Sequence, residues 1–414
     1  MRQVSMWGTV VLGVVLAASG ARAAAREKIL YSFGSGGDAQ YPMAALTFDG
    51  RGNLFGTSSG GGAFGNGAIF ELSPNHGGWT EKVLYSFTGN EDGYAPQGGL
   101  IRDKKGNFYG TASGGGDLSC DTVGCGVVFE LSPAHKGPWK YIVLHQFVGG
   151  NNDGDLPTGK LAFDTKGNLY GETIHGGEFD GGVVFEVKLT QDGWQESAIY
   201  IFGVTGGAPI GGLVFDKAGN VYGAAELDGL GTVFELSPNN NGTWMETDLH
   251  DFNGSDGENP AAGLAIDAAG NLYGTTMLGG GPYCFGQYGC GNAFEVSPDG
   301  HGGWTENTLH TFTGGSSDGQ SPQGVLLLGP SGKLYGTTAE GGGTGCNFGF
   351  GCGSVFRLEP TANGWKETVL HRFRGPRDGK QPLAGLIRDS KNRLYGTTDF
   401  GGAHGVGSVF EIIP

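Results

Sequence analysis

The chain has 414 residues, 86 of them glycine, with 16% charged residues and a formal net charge of −16. Glycine at this level without a Gly-X-Y period excludes collagen, and regularly spaced aromatics, 11% of the chain, argue against a disordered low-complexity segment. The acidic balance, with no basic stripe along the sequence, speaks against nucleic acid or an anionic membrane as partner and suits a protein that attracts cations.

Residues 1–23 read as a secretory signal peptide. Arg2 supplies the positive start, Val10–Ala18 a short apolar run, and Ala21-Arg22-Ala23 a small-x-small cleavage site. An uncleaved anchor is the competing reading, but the run is short for a bilayer. Cleavage leaves residues 24–414, removes Arg2 and Arg22, and takes the formal charge from −16 to −18. No later apolar run has the length of a transmembrane helix, and the last strand pattern stops at Pro414 with no C-terminal anchor.

From Glu27 onward the chain repeats a unit of four short segments. The first ends in an aromatic residue and marks the period: Phe33, Phe87, Phe147, Phe202, Phe252, Phe312 and Phe373, at intervals of 50 to 61 residues. The second follows a proline and begins with small residues, as in Pro96-Gln97-Gly98-Gly99-Leu100. The third is the phrase Gly270-Asn271-Leu272-Tyr273-Gly274-Thr275-Thr276 and its copies. The fourth is Gly-x-Val-Phe-Glu-Leu, as in Gly231 to Leu236. All are rich in β-branched and aromatic residues and bounded by turn formers, and Asp-x-x-Gly-Asn between the second and third is hairpin-turn chemistry. No helical period appears after the signal peptide.

Four strands per unit and seven units predict an all-β fold, a seven-bladed β-propeller formed by residues 24–414. The second segment belongs at the axis, where seven strands converge and small side chains are required: Ala44-Ala45, Gly98-Gly99, Gly211-Gly212, Ala262-Gly263 and Ala384-Gly385. Lys160 is the one inner-strand charge. The first strand, Lys28 to Phe33, has no blade of its own, and the last unit lacks an outer strand. The N-terminal strand is therefore expected to close the last blade and remove an exposed edge.

Six cysteines fall as close pairs, Cys120/Cys125, Cys284/Cys290 and Cys346/Cys352. This favours three local disulfides, each pinning a short loop in an oxidising compartment, over metal binding. Their loops carry Tyr283, Phe285, Tyr288, Phe348 and Phe350 as candidate ligand-binding aromatics, or merely staple glycine-rich chain. Six units place an aspartate before the inner-strand proline: Asp38, Asp92, Asp153, Asp256, Asp318 and Asp378. This set is the candidate calcium site, weighed against plain turn chemistry. Recurring Trp79, Trp139, Trp194, Trp244, Trp304 and Trp365 suggest blade-to-blade packing. The position shared by Tyr85, His145, Tyr200, His250, His310 and His371 suggests a structural hydrogen bond. Gly56 to Gly60 fits GxSxG and Gly60 to Gly65 fits GxGxxG, but neither precedes a helix, so neither carries its usual chemistry.

The copies of LYGTT followed by GG and G-x-G-x-VF, as in Leu394 to Thr398, Gly401-Gly402 and Gly405 to Phe410, resemble the Gloeobacter/Verrucomicrobia-type tandem repeat of choice-of-anchor proteins. The turn and inner-strand pattern is also similar to NHL-type propeller repeats. The resemblance implies an exported bacterial repeat protein, often with a surface anchor, and supplies no activity. The expectation is a secreted or periplasmic, monomeric binding or scaffold module. Its loop-rich face would take an extracellular glycan or a surface protein. The alternative is a calcium-dependent propeller hydrolase or lyase, and a purely structural matrix component is the third reading.

Overall fold

In the computed structural model the described residues are 25–414, apart from 35, 121, 135, 204–206, 227–229, 282–283, 285–287, 344 and 347–348. The proposed signal peptide lies outside them. Seven four-strand antiparallel blades surround a central channel. Blade 1 runs from the axis outward through Thr47–Phe48, Leu54–Ser58, Ala68–Asn75 and Gly78–Ser86. Blades 2 to 6 repeat this order, and their outer strands end at Gln146, Ile201, Asp251, Thr311 and Arg372.

Blade 7 combines Ile387–Arg388, Leu394–Thr398 and Ser408–Ile413 with the N-terminal strand Arg26–Ser32, which pairs antiparallel with Ser408–Ile413. The first strand thus closes the last blade, and the ring has no free sheet edge at its seam.

The glycines of the recurring phrase have a steric cause. A Cβ on Gly274 would lie 2.4 Å from Phe294 Cζ of the neighbouring strand and 3.0 Å from Leu264 Cδ2 of the inner segment. Only hydrogen lets the ring slide beneath the strand. That ring also meets the period-marking phenylalanine of the preceding blade, Phe252, edge-on at 5.0 Å. Equivalent T-shaped pairs, among them Phe33–Phe70 and Phe373–Phe410, join every blade to the next. A register shift recurs in every outer strand pair, as between Val233 and Phe234. This bulge lets both the leucine and the aromatic near the strand end reach protein rather than solvent.

Trp139 packs on Phe55 of the preceding blade, Trp194 on Tyr109, Trp244 on Tyr170 and Trp304 on Tyr222. The tryptophans are inter-blade packing groups.

The structure differs from the sequence reading at the axis. The hydrogen-bonded part of each inner strand is only two residues long. The Gly and Ala before it line the channel wall with backbone against backbone. A Cβ on Gly211 would lie 2.0 Å from Gly263 N, so the ring could not close with a side chain there. Inner strands also contain Arg102 and Arg388, at the end away from the channel mouth. Among the described residues Lys160 is therefore the only charge lining the channel, rather than the only inner-strand charge. Among the described residues the one helix is a 3-10 turn at Pro330–Gly332, and no helix is long and apolar enough to cross a membrane.

Candidate functional site

The segments leading into the inner strands and the loops between the third and fourth segments lie on one face. Their pairing shows it directly: Ala39–Gln40 pairs with Gly60–Gly61, Gly154–Pro157 with Leu169–Gly176, and Gly319–Gln320 with Glu340–Gly341. In all seven blades the residue before the inner-strand proline or its equivalent has positive φ: Tyr41, Ala95, Leu156, Ala208, Asn259, Ser321 and Gln381, between 48° and 59°. Non-glycine residues avoid this region, so surrounding bonds must enforce it. Each donates its backbone N–H to the preceding blade, as Asn259 does to the Leu230 carbonyl at 2.8 Å. The proline then packs on that blade's glycine, where a Cβ on Gly231 would meet Pro260 Cδ at 2.2 Å. A rigid, seven-times repeated rim results, and loop variation on it can be functional.

All three cysteine pairs are bridged. Cys120–Cys125, Cys284–Cys290 and Cys346–Cys352 have Cα–Cα separations of 5.6, 5.1 and 4.9 Å, and their loops lie on this face. The expected pairs each pin a loop, and the structure adds that the second cysteine of each pair belongs to the core. Cys125 and Cys290 are 0% exposed and Cys352 is 2% exposed. Cys125 packs in the apolar cluster of Phe147 and Val183, Cys290 in that of Phe312 and Ala293, and Cys352 in that of Phe373 and Val355. The physical reason is their position. Each sits just before a fourth-segment strand, and its backbone carbonyl accepts the rim hydrogen bond of the next blade. Leu156 N donates to Cys125 O at 3.1 Å, Ser321 N to Cys290 O and Gln381 N to Cys352 O, both at 2.9 Å. Cys125, Cys290 and Cys352 are therefore buried anchors that fasten each loop to the blade junction. Any ligand would meet the loop, not these sulfurs.

The three bridges are consistent with an oxidising compartment, such as the extracellular space or the periplasm. Of the candidate aromatics, Tyr288 is 44% exposed and Phe350 39% exposed. Tyr283, Phe285 and Phe348 fall outside the described residues.

Beside the Cys120–Cys125 loop is a cavity of about 360 Å³ between blades 1, 2 and 3. Its walls include Tyr94, Val123 of the bridged loop, and the polar side chains of Ser59, Gln97 and Ser113. Tyr94 is 37% exposed. The sequence reading missed this tyrosine because it sits in the turn before Pro96, where composition signals only a loop.

The six aspartates are placed as loop caps. Asp92 accepts from the Tyr85 hydroxyl at 2.7 Å and from Thr88 N at 2.9 Å. Asp153 accepts from Val148 N and Gly154 N, both at 2.8 Å, and Asp378 from Arg374 N at 2.7 Å. Asp38, Asp256 and Asp318 accept in the same way from Gly34, Asn253 and Thr313. No two of the six stand together at metal-ligand spacing among the described residues, but Asp153 lies with His145 and Glu196, and Asp256 with His250 and Glu306, each trio with its ligand atoms within 4.8 Å of one another. Each aspartate accepts from N–H or O–H donors of its own loop.

Each aspartate also meets the shared Tyr or His. Tyr31 donates to Asp38 at 3.0 Å, and the Nε2 atoms of His145, His250, His310 and His371 lie 3.2–3.3 Å from Asp153, Asp256, Asp318 and Asp378. Unit four has no aspartate, and Tyr200 donates instead to Glu246 at 3.3 Å. A glutamate from the next outer strand completes several junctions. Burial pushes Glu81, Glu196 and Glu367 up to about 7, with the neighbouring aspartate adding to the rise. Burial alone would also raise the Asp318 carboxyl, but contacts with His310 and Thr313 together hold it below the usual carboxylate range.

The channel holds the asymmetric chemistry. Its volume is about 330 Å³, and its wall is mostly Gly, Ala and apolar side chains. Lys160 enters it from blade 3 and runs beside Gly99. The lysine is deep within the ring yet open to channel water, and desolvation lowers its pKa. No carboxylate pairs with it among the described residues. Glu172 belongs to the same blade and replaces the threonine of the recurring phrase. It is 2% exposed, and burial raises its carboxyl to about 7. The break from LYGTT to LYGET at Leu169–Thr173 was the sequence signal for it.

Solved structures share the fold at low identity. A putative 6-phosphogluconolactonase from Bacteroides uniformis superposes with a TM-score of 0.53 at 15% identity, over 83% of this chain and 88% of that one. A periplasmic gluconolactonase from Pseudomonas aeruginosa gives 0.51 at 13%, over 87% and 98%. An ulvan lyase bound to a glucuronate–sulfated rhamnose unit gives 0.52 at 12%, over 93% and 95%. No curated protein sequence is detectably similar. The sequence profile of the Gloeobacter/Verrucomicrobia repeat matches residues 21–230 and 187–410. With nearly every blade matched, the chain belongs to the Gloeobacter/Verrucomicrobia repeat family.

Proposed function

We propose that this propeller is an extracellular or periplasmic binding module whose loop face takes a glycan. The observation that carries the reading is the Tyr94 cavity. Its volume of about 360 Å³ lies within the range of small-ligand sites, and it combines an exposed aromatic ring with three polar side chains. A tyrosine ring offers an apolar platform to a sugar face at little entropic cost, and exposed Gln97 offers hydrogen bonds to hydroxyls, while Ser59 and Ser113 already donate to the Tyr41 and Ala95 carbonyls and keep only acceptor capacity. The Cys120–Cys125 bridge pre-organises the wall that carries Val123. A glycan array followed by calorimetry tests this. Tyr94→Ala is expected to weaken the selected glycan by about ten-fold. Unchanged affinity in Tyr94→Ala and Gln97→Ala together would remove the loop cavity as the site.

A second reading is a hydrolase or lyase acting in the channel, favoured by the confinement of Lys160 and Glu172 to blade 3. Desolvation lowers the pKa of Lys160, the direction a proton-accepting lysine needs. Sugar lactones and uronate polymers would be the substrates to try, following acid release or the ultraviolet absorbance of an unsaturated uronate. Turnover that survives Lys160→Met would exclude this site, and loss of turnover with EDTA would restore the calcium version.

A further inference from the structure

The ring carries a charge asymmetry that the sequence average conceals. Between Lys217 and Lys333 the chain has no Lys or Arg and 13 Asp or Glu, whereas residues 333–414 hold ten Lys or Arg against seven acids. The ring therefore has an acidic side at blades 4 and 5 and a basic side at blades 6 and 7.

On that basic side, at the face opposite the loops, the turn Ser390-Lys391-Asn392 stands between two clefts. One, about 820 Å³, separates blade 7 from blade 1, and the other, about 960 Å³, separates blade 6 from blade 7. Lys391 lines both. Together the clefts present eight Lys or Arg and only three acidic side chains, in a chain of net charge −16.

The three acidic side chains are already committed. Asp389 and Glu411 hold Arg393 at 2.6 and 2.7 Å, and Glu359 holds Lys333 and Arg357, each at 2.7 Å. Lys28, Lys366 and Lys391 are exposed, with no carboxylate partner among the described residues. Arg388 donates one bond, to Asn392 Oδ1 at 2.6 Å, and its Nε is buried without a partner. Half-buried Trp79 forms an apolar wall beside these cations, whereas Tyr395 is buried beneath the Arg393 guanidinium.

We infer that the paired clefts flanking Lys391 bind a linear anionic polysaccharide, a polymer of carboxylated or sulfated sugars. Unpaired ammonium and guanidinium groups match carboxylate and sulfate oxygens, and the Trp79 ring offers an apolar edge to a pyranose. The two clefts share one ridge, so a single extended chain can cross it and fill both. Duplex nucleic acid is disfavoured because four uncommitted cations neutralise few phosphates of a broad, rigid polyanion, and the rest of a protein of net charge −16 repels it. This site is independent of the loop cavity.

The test is titration of the purified chain with polygalacturonate and with dextran sulfate, using neutral dextran and duplex DNA as comparison polymers. Binding of at least one anionic polysaccharide is expected, falling as salt rises. Lys28→Glu with Lys391→Glu is expected to weaken it by at least about ten-fold. Lys166→Glu with Lys217→Glu makes the same charge change in the equivalent turns of blades 3 and 4 and is expected to leave it intact, as is Tyr94→Ala. Circular dichroism confirms the fold of each variant. Equal losses in the two charge-reversed pairs, equal affinity for neutral dextran or DNA, or no binding by either anionic polymer would overturn the inference.

Discussion

The Glu172 carboxylate accepts a hydrogen bond of 2.6 Å from the Gly212 backbone N–H, across the junction of blades 3 and 4. In five of the other blades a threonine stands here, with Ala224 in blade 4, and donates to the next inner segment, as Thr57 does to the Gly98 carbonyl at 2.9 Å and Thr337 to the Ala384 carbonyl at 2.9 Å. The other Glu172 oxygen is buried without a partner. Its pKa of about 7 lies above the ordinary value of 4.5, so its ionisation destabilises the fold as pH rises through 7. Glu172→Gln is therefore expected to stabilise the protein at pH 8, by up to about 3 kcal/mol, and to change little at pH 5. Denaturant melts at the two pH values check this.

The junction glutamates extend the same argument. Glu81, Glu196, Glu246 and Glu367 are each raised to about 7, chiefly by burial. The folded state binds more protons than the unfolded chain between pH 4.5 and 7, so stability declines across that window as pH rises. The melting temperature is expected to be higher at pH 5.5 than at pH 8, and Glu196→Gln should flatten the difference. A flat or opposite profile in the wild type would contradict the assigned shifts.

The phrase that repeats around the ring predicts its own intolerance. Gly274→Ala places a methyl against Phe294 and is expected to destabilise by about 1–3 kcal/mol in urea unfolding. Phe294→Leu in the same background should recover part of the loss by vacating the space. Absence of that recovery would mean the glycine serves the backbone rather than the ring.

The bridges predict a chemical count. Thiol blocking before and after reduction should protect all six sulfurs in the native chain. Free thiols in native protein would contradict both the bridges and the oxidising compartment.

The blade pattern was readable because a two-residue side-chain alternation and bounded turns act locally, and seven copies repeated the signal. Phe33 and Phe373 marked the period because each fills the same inter-blade slot. Blade closure was readable because Lys28 to Phe33 had no partner in its own unit. Site chemistry was less legible. Asp92 looks the same in sequence whether it caps Thr88 or ligates a metal, and only the direction of its carboxylate separates the two. Cysteine spacing revealed the pairs but not their depth. Cys290 and Cys352 are core residues because the next blade's Ser321 and Gln381 bond to their carbonyls, a contact between units that spacing within one unit does not carry. The basic clefts were hidden because Lys28 and Lys391 are more than 360 positions apart and become neighbours only when the ring closes. Lys160 was visible as an isolated charge, but Arg102 and Arg388 took a different place from the one their segments implied.

The measurement that tests the binding account most directly is calorimetric titration of the wild type with glycans selected on an array, repeated with Tyr94→Ala. The account predicts a saturable heat for at least one glycan in the wild type and about ten-fold weaker binding in the variant. No glycan binding by a folded wild type, or identical affinities in the two proteins, would contradict it.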